Sequence, residues 1–525
     1  MTLLTLLVAA LSTALVVQGR NFSNPVIYED FPDNDIFRGP DGYYYFSASS
    51  FHYSPGAPIL RSTDLVNWEL IGHSVPTLDF GPNYNLPPTN ETAYNLGTWA
   101  STMRYRESTD QWYWIGCANF WTTYVYTAPS VTGPWDQSSS FQPCFYDCGL
   151  LIDDDDTMYV VYGSNNVSVA QLSPDGLTVV QTQQVFSFPP ECESIEGNRM
   201  YKINGSYYIL DDCPSDGITV VWKAPTPFGS YTRKILIDSS HGVASPVPGT
   251  GTPIQGSLVE TESGEWYFMS FAWNYPLGRV PVLAPITWGD DGFPVLVTVN
   301  GSWGETYPSP LPGKEHATPS WTGVDNFTGE ELGPAWQWNH NPDPTRFALN
   351  KPGLTLRTAS VTDDLYAARN TLTHRIHGAK PYGIVEIDFN NMADGDRCGL
   401  AALKDASAWI GVVRNGTEYY LAAAHGLTME RYGGTTSTGT IVATAPITRT
   451  RVWLKVSMDA AAVGSHEARF SFSLDGTSFT ELGGVYTLTT DYLFFMGYRY
   501  GIFNYATKAL GGSIDLIKFT SEESI

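Results

Sequence analysis

GPDGYYYF, residues 39–46, is a polar turn that runs directly into an aromatic strand, and the chain repeats this signature four more times. STDQWYWI begins at Ser108, DDDTMYVV at Asp154, INGSYYIL at Ile203 and ESGEWYFM at Glu262. With Tyr44, Tyr113, Tyr159, Tyr208 and Tyr267 set as equivalent, the units recur at intervals of several tens of residues, the scale of a four-stranded propeller blade. Most are followed by a second strand pair punctuated by Pro, Asp and Gly, as in ILRSTDLVNWELIG and VWKAPTPFGSYTRKIL, and helical periodicity is scarce. Five units predict five blades. From about Trp321 the texture changes to longer alternating strands such as GIVEIDFNNM and ARFSFSLDG, the pattern of an antiparallel sandwich. The predicted fold is all-β: an N-terminal five-bladed β-propeller over residues 20–313 and a C-terminal antiparallel β-sandwich over 314–525, with the boundary between Pro310 and Pro319.

In a propeller the innermost strands line one axis, so equivalent positions on different blades converge. Asp33 lies 11 residues before Tyr44, whereas Asp147, Glu196 and Gln255 lie 12 before Tyr159, Tyr208 and Tyr267. Ser101, beside Trp99, holds that place in the second unit. Three acids in register would face one another across a pocket, and their repulsion is costly unless it is used. Hydrolysis of a glycosidic bond uses such a set: one carboxyl protonates the leaving oxygen, another activates water, and a like-charged neighbour keeps the acid protonated. A binding-only propeller that holds polysaccharide through aromatics is the non-catalytic alternative, and it has no need of three acids in register.

The formal charge of -24 argues against nucleic acid or an anionic membrane as partner. A neutral substrate fits better, and the 16 Trp and 31 Tyr suit sugar stacking as well as sheet packing. Thr2–Val17 is apolar or small and precedes Gln18-Gly19, which reads as a secretory leader over residues 1–19. Seven Asn-x-Ser/Thr sequons, at Asn21, Asn90, Asn166, Asn204, Asn300, Asn326 and Asn415, agree with an extracellular glycoprotein. Six cysteines allow disulfides in that setting, in pairings the sequence does not fix.

The same segments resemble glycoside hydrolase family 43, in particular its fungal arabinoxylan-active α-L-arabinofuranosidases that act on doubly substituted xylan. NPVIYEDFPDNDIFRGPDGYYY (24–45) is similar to the family's first blade, YDCGLLIDDDDTMYVVYG (146–163) to its third and SIEGNRMYKINGSYYIL (194–210) to its fourth. The resemblance implies an inverting hydrolase with Asp33 as general base, Asp147 as the residue that tunes the acid and Glu196 as general acid. Through GTWASTMRY and YPLGRVPVLAPITWGDDGFP it implies that Trp99 and Arg279 bind substrate, with Phe51, Tyr146 and Gln255 beside them. DNFTGEELGPAWQWNHNPDPTRFAL is similar to the sandwich of that group. Arabinoxylan, met by a secreted monomer, is the implied partner, and exo-β-1,4-xylosidase is the alternative activity. One departure concerns metal. Ile254 stands beside Gln255 where many members carry a His, which speaks against a structural calcium on the axis, and the run Asp153–Asp156 lacks the ligand spacing of a calcium loop. No cofactor or catalytic metal is expected.

Overall fold

The computed structural model describes residues 20–89, 91–311 and 320–524. The predicted leader, the sequon at Asn90 and most of the segment between Pro310 and Pro319, where the domain boundary is predicted, lie outside the described residues. The protein is all-β, a five-bladed propeller followed by a sandwich. Each blade is a four-stranded antiparallel sheet in sequence order from the axis outward. The inner strands are Asp35–Arg38, Thr102–Arg106, Gly149–Ile152, Glu196–Ile203 and Ile254–Glu260, and each neighbours the next around the axis, the fifth meeting the first. Outside the blades, Asn21–Ser23 pairs with Thr306–Pro308.

The aromatic runs that announced the repeat occupy the second strand of every blade, and their continuity has a physical cause. A blade is covered on both faces by its neighbours, so both faces of the strand must be apolar. Tyr44 and Phe46 pack toward blade five with Leu258 and Phe268, while Tyr45 packs toward blade two with Trp112 and Trp114. On the next strand Tyr113 and Ile115 turn the other way, against Leu150 and Val160 of blade three. The buried Tyr44 hydroxyl is satisfied by the N–H of Glu262 at 3.2 Å, so the hairpin turn of blade five is tied to blade one.

On the axis sits Arg199, which has no solvent exposure. Its guanidinium donates to the carbonyls of Asp33 (2.9 Å), Asn34 (3.2 Å), Cys148 (3.0 Å) and Asn198 (2.8 Å). It also lies 3.6 Å from the buried Asp35 carboxylate, which Arg104 of blade two meets at 2.7 Å. Burial pushes the Asp35 pKa up, but Arg104 and Arg199 outweigh it and leave the group below the usual carboxylate range. One network thus joins blades one, two, three and four.

The sandwich is built of two eight-stranded sheets. Arg451–Met458 alternates buried residues with residues that are half-buried or exposed along its length, as a strand with one face on a core must. One of the eight strands of the second sheet comes from the propeller: Tyr53–Ser54 pairs with Trp336–Asn339. The two domains therefore share a sheet, which the sequence reading did not anticipate. Among the described residues no helix is long and apolar enough to cross a membrane.

Removing one partner from a buried ionic network leaves the other uncompensated. Arg199→Met is therefore expected to destabilise the protein by about 3 to 5 kcal/mol, read as a lower guanidinium midpoint at unchanged slope; a midpoint equal to wild type would refute this role for the axial guanidinium.

Candidate active site

Three of the five turns that lead into the inner strands hold the acids in register. Asp33 and Asp147 stand two residues ahead of their strands and Glu196 is the first residue of its own. Asp33, Asp147 and Gln255 have φ of 59°, 47° and 59°, a left-handed conformation that non-glycine residues hold only where surroundings enforce it. In blade four that conformation falls one residue later, on Gly197 at φ 75°. In blade two the equivalent Ser101 is turned to packing, its hydroxyl accepting from the Trp114 indole N–H at 3.0 Å.

These turns surround a cavity of about 280 Å³. All eight residues singled out from the sequence line it: Asp33, Phe51, Trp99, Tyr146, Asp147, Glu196, Gln255 and Arg279. Arg279 forks onto Asp33, at 2.6 Å to Oδ1 and 3.3 Å to Oδ2, and the Ser49 hydroxyl donates to Oδ2 at 2.6 Å. The guanidinium is held in place by the rings of Phe271 and Trp273, 5.1 and 5.2 Å away. Trp99 is fixed by its indole N–H to the Asn95 carbonyl at 2.9 Å and packs edge-on against Phe51.

The other carboxyls have no such cation. Asp147 accepts from the Gly197 N–H at 3.0 Å. Glu196 accepts from the Tyr146 hydroxyl at 3.0 Å. Burial raises the Glu196 pKa; the Tyr146 hydrogen bond opposes this and repulsion from Asp33 adds to it, and the net shift is upward. Asp147 is raised well above the usual range, by burial first and then by the charges of Glu196 and Asp33. A site of this kind keeps a proton on a carboxyl beside another carboxyl that has a counter-ion.

A model for family 43 of the glycosyl hydrolases matches residues 22–294. The chain belongs to that family. A beta-xylosidase C-terminal Concanavalin A-like domain matches residues 324–521. Among relatives of this family 43 chain, a beta-xylosidase of Formosa agariphila is 26% identical over 95% of the chain and 90% of its own length. A non-reducing end alpha-L-arabinofuranosidase of Bacteroides ovatus is 27% identical, covering 77% of each. Among solved structures, a GH43 glycoside hydrolase whose active site was engineered to display both endo-xylanase and exo-arabinofuranosidase activity is 41% identical, with a TM-score of 0.93 over 96% of this chain and 100% of that one.

The cavity of this family 43 hydrolase has walls the sequence reading missed. Arg431, Tyr432 and Phe495 reach it from the sandwich, and Asp212 from the second strand of blade four. The acidic run Asp153–Asp156 lies elsewhere: Asp153 and Asp154 meet Lys202, and Asp156 meets Arg106. No group of three or more His, Cys, Asp or Glu side chains among the described residues is arranged to hold a metal ion.

Two disulfides brace the rim. Cys117–Cys144 joins the strand before Phe120 to the turn before Tyr146, and Cys192–Cys213 joins the loop ahead of Glu196 to the strand carrying Asp212. Closing a loop with a separation of 21 residues restricts the unfolded chain, an effect of about 3 kcal/mol. C192S/C213S is expected to lose that much stability, with a melting point no longer sensitive to reduction of this bond; an unchanged melting point would refute the bracing role.

Proposed function

We propose that the protein is a secreted, inverting α-L-arabinofuranosidase that removes O3-linked arabinose from doubly substituted xylose units of arabinoxylan. Asp33, the carboxylate with the Arg279 counter-ion, takes a proton from water as that water attacks the anomeric carbon. Glu196 gives its proton to the leaving oxygen as the glycosidic bond breaks. Asp147, beside it, orients Glu196 and keeps it protonated until then. Trp99, Phe51, Tyr146, Gln255 and Arg279 form the walls that hold the sugar. Every step moves a proton between the chain's own carboxyls, water and substrate, so the scheme needs no cofactor.

The observation that carries the substrate reading is how the cavity opens. At about 280 Å³ it is small for a ligand site, the size for one sugar rather than a chain. Its Glu196 wall is shared with a larger groove of about 760 Å³ at the propeller–sandwich junction, where Trp273 and Tyr492 lie. Glu196 delivers its proton to the leaving group, so the leaving group belongs on that side. A single-sugar pocket that shares its wall with a larger groove lined by aromatics suits removal of a side chain from a polymer. The likeness to the engineered GH43 enzyme supports the same reading. β-Xylosidase is the second reading, favoured by the Formosa agariphila relative and by the name of the C-terminal model. Exposed asparagines at the six described sequons, together with the two disulfides, support secretion, and removal of N-glycans should lower the mass of the protein from a eukaryotic host.

The deciding experiment is product analysis on singly and doubly arabinosylated xylo-oligosaccharides beside unsubstituted xylobiose. Arabinose from the doubly substituted compound, with inverted configuration in early NMR spectra, is expected; xylose from xylobiose without arabinose release overturns the proposal. Glu196→Ala and Asp33→Ala should each lower kcat by about a thousandfold or more. The Tyr146 hydroxyl stabilises ionised Glu196, so Tyr146→Phe should raise the Glu196 pKa and move the basic limb of kcat/KM to higher pH. A limb that stays put would separate Glu196 from proton delivery.

A further inference from the structure

The second strand of blade four, Ser206–Cys213, places Asp212 directly opposite Glu196. Asp212 is 1% exposed and lines the cavity. It also accounts for the glycine that follows Glu196. A Cβ on Gly197 would collide with Asp212 Oδ1 and press on the Gln255 side chain, so the Glu-Gly pair is needed to let this carboxyl approach.

The acids of the cavity differ in what satisfies them. Asp33 has Arg279 and Ser49, Asp147 has the Gly197 N–H, and Glu196 has the Tyr146 hydroxyl. No described residue donates a hydrogen bond to Asp212, whose Oδ1 is sealed from solvent. Facing it are Glu196 on the paired strand, Asp147 and Asp33 from blades three and one, and Asp211 on its own strand. Gln255 reaches the cavity from blade five and Arg431 from the sandwich, the Arg431 guanidinium lying 4.6 Å over the Phe495 ring. A carboxylate there would have four other acids around it and no donor. A carboxylic acid has one O–H to give, and a sugar in the cavity supplies an acceptor.

We propose that Asp212 is a sugar-positioning residue of this site, a neutral carboxylic acid whose O–H donates to a hydroxyl oxygen of the sugar held next to Glu196. Burial, and then repulsion from Glu196, Asp147, Asp211 and Asp33, push the group well above the usual carboxylate range in support of this. The inference rests on the reading of Glu196 as the acid only for where the reacting bond lies.

The test combines binding, pH dependence and melting. In an E196Q background, which removes turnover, L-arabinose and D-xylose are titrated calorimetrically into the parent, D212N and D212A. An amide N–H can replace the acid's O–H, so D212N should bind the preferred sugar within about twofold, while D212A should lose about 5- to 10-fold, the value of one hydrogen bond. An undiminished affinity in D212A overturns the proposal. With Glu196 restored, D212N should keep the basic limb of kcat/KM in place; a limb moved to lower pH would mean that Asp212 is charged and acts on Glu196, which also overturns it. Turnover persisting in E196Q would overturn the assignment of the acid instead, leaving the sugar titration to judge Asp212.

Melting gives a readout free of substrate, useful if D212A does not fold. A carboxyl raised in the folded state loses stability as pH climbs above its unfolded value of about 4. D212N should therefore melt higher than wild type at pH 7, with the gain fading toward pH 4. A gain independent of pH, or none, overturns the neutral state.

Discussion

The structure hangs on a guanidinium that water never reaches. Arg199 spends its donors on carbonyls of Asp33, Asn34, Cys148 and Asn198, residues at, or within two positions of, Asp33, Asp147 and Glu196. A buried charge is tolerable only when paired and fully hydrogen-bonded, and Asp35 with its second partner Arg104 meets that need. The floor of the cavity is thus a rigid polar plug rather than a channel. Because the plug grips backbone, it fixes the turns that carry Asp33 and Asp147 while leaving their side chains free for the pocket.

Above that floor the balance reverses. Arg279 matches Asp33, but Asp147, Glu196 and Asp212 gather with no cation of their own, and all three are raised, chiefly by burial. Each such group costs stability at neutral pH, since the unfolded chain would let it ionise. Left-handed backbone at Asp33, Asp147 and Gln255 adds strain in the same place. The blades, with aromatic side chains interleaved on both faces of every second strand, supply the cohesion that holds this arrangement together.

Much of this was legible in the sequence because a propeller converts spacing into convergence. Counting back from five tyrosines found Asp33, Asp147, Glu196 and Gln255, and the structure brings them into one cavity. The same counting could not find Asp212. The hairpin turn pairs Ile203 with Ser206, and an unbroken ladder from there would set Cys213 opposite Glu196; a bulge between Glu196 and Arg199 shifts the register and puts Asp212 there instead. A single inserted residue turns the partner side chain to the other face, and nothing in SIEGNRMYKINGSYYILDDC announces it. Arg431, Tyr432 and Phe495 were hidden for another reason: they arrive from the sandwich, where no repeat relates them to the blades. The strand Tyr53–Ser54 is too short to carry a periodicity that would assign it to either sheet.

The sandwich, then, is part of the pocket rather than an appendage to it. Asp30, in the chain entering blade one, receives the backbone N–H of Arg279 on one oxygen at 2.8 Å and that of Gly497 in the sandwich on the other at 2.9 Å. One carboxylate therefore sets the distance between the arginine that grips Asp33 and the segment that carries Phe495. Gly497 itself has no room for a side chain, since a Cβ would strike the Leu277 carbonyl. Nearby, Arg499 lies 3.5 Å over the Tyr53 ring and bonds Gln337, holding the shared sheet against the propeller. Contacts of this kind do not allow the sandwich to slide without moving Arg279. The acids come from the blades and part of the roof from a domain far along the sequence, and a short buried relay through Asp30 keeps the two in register.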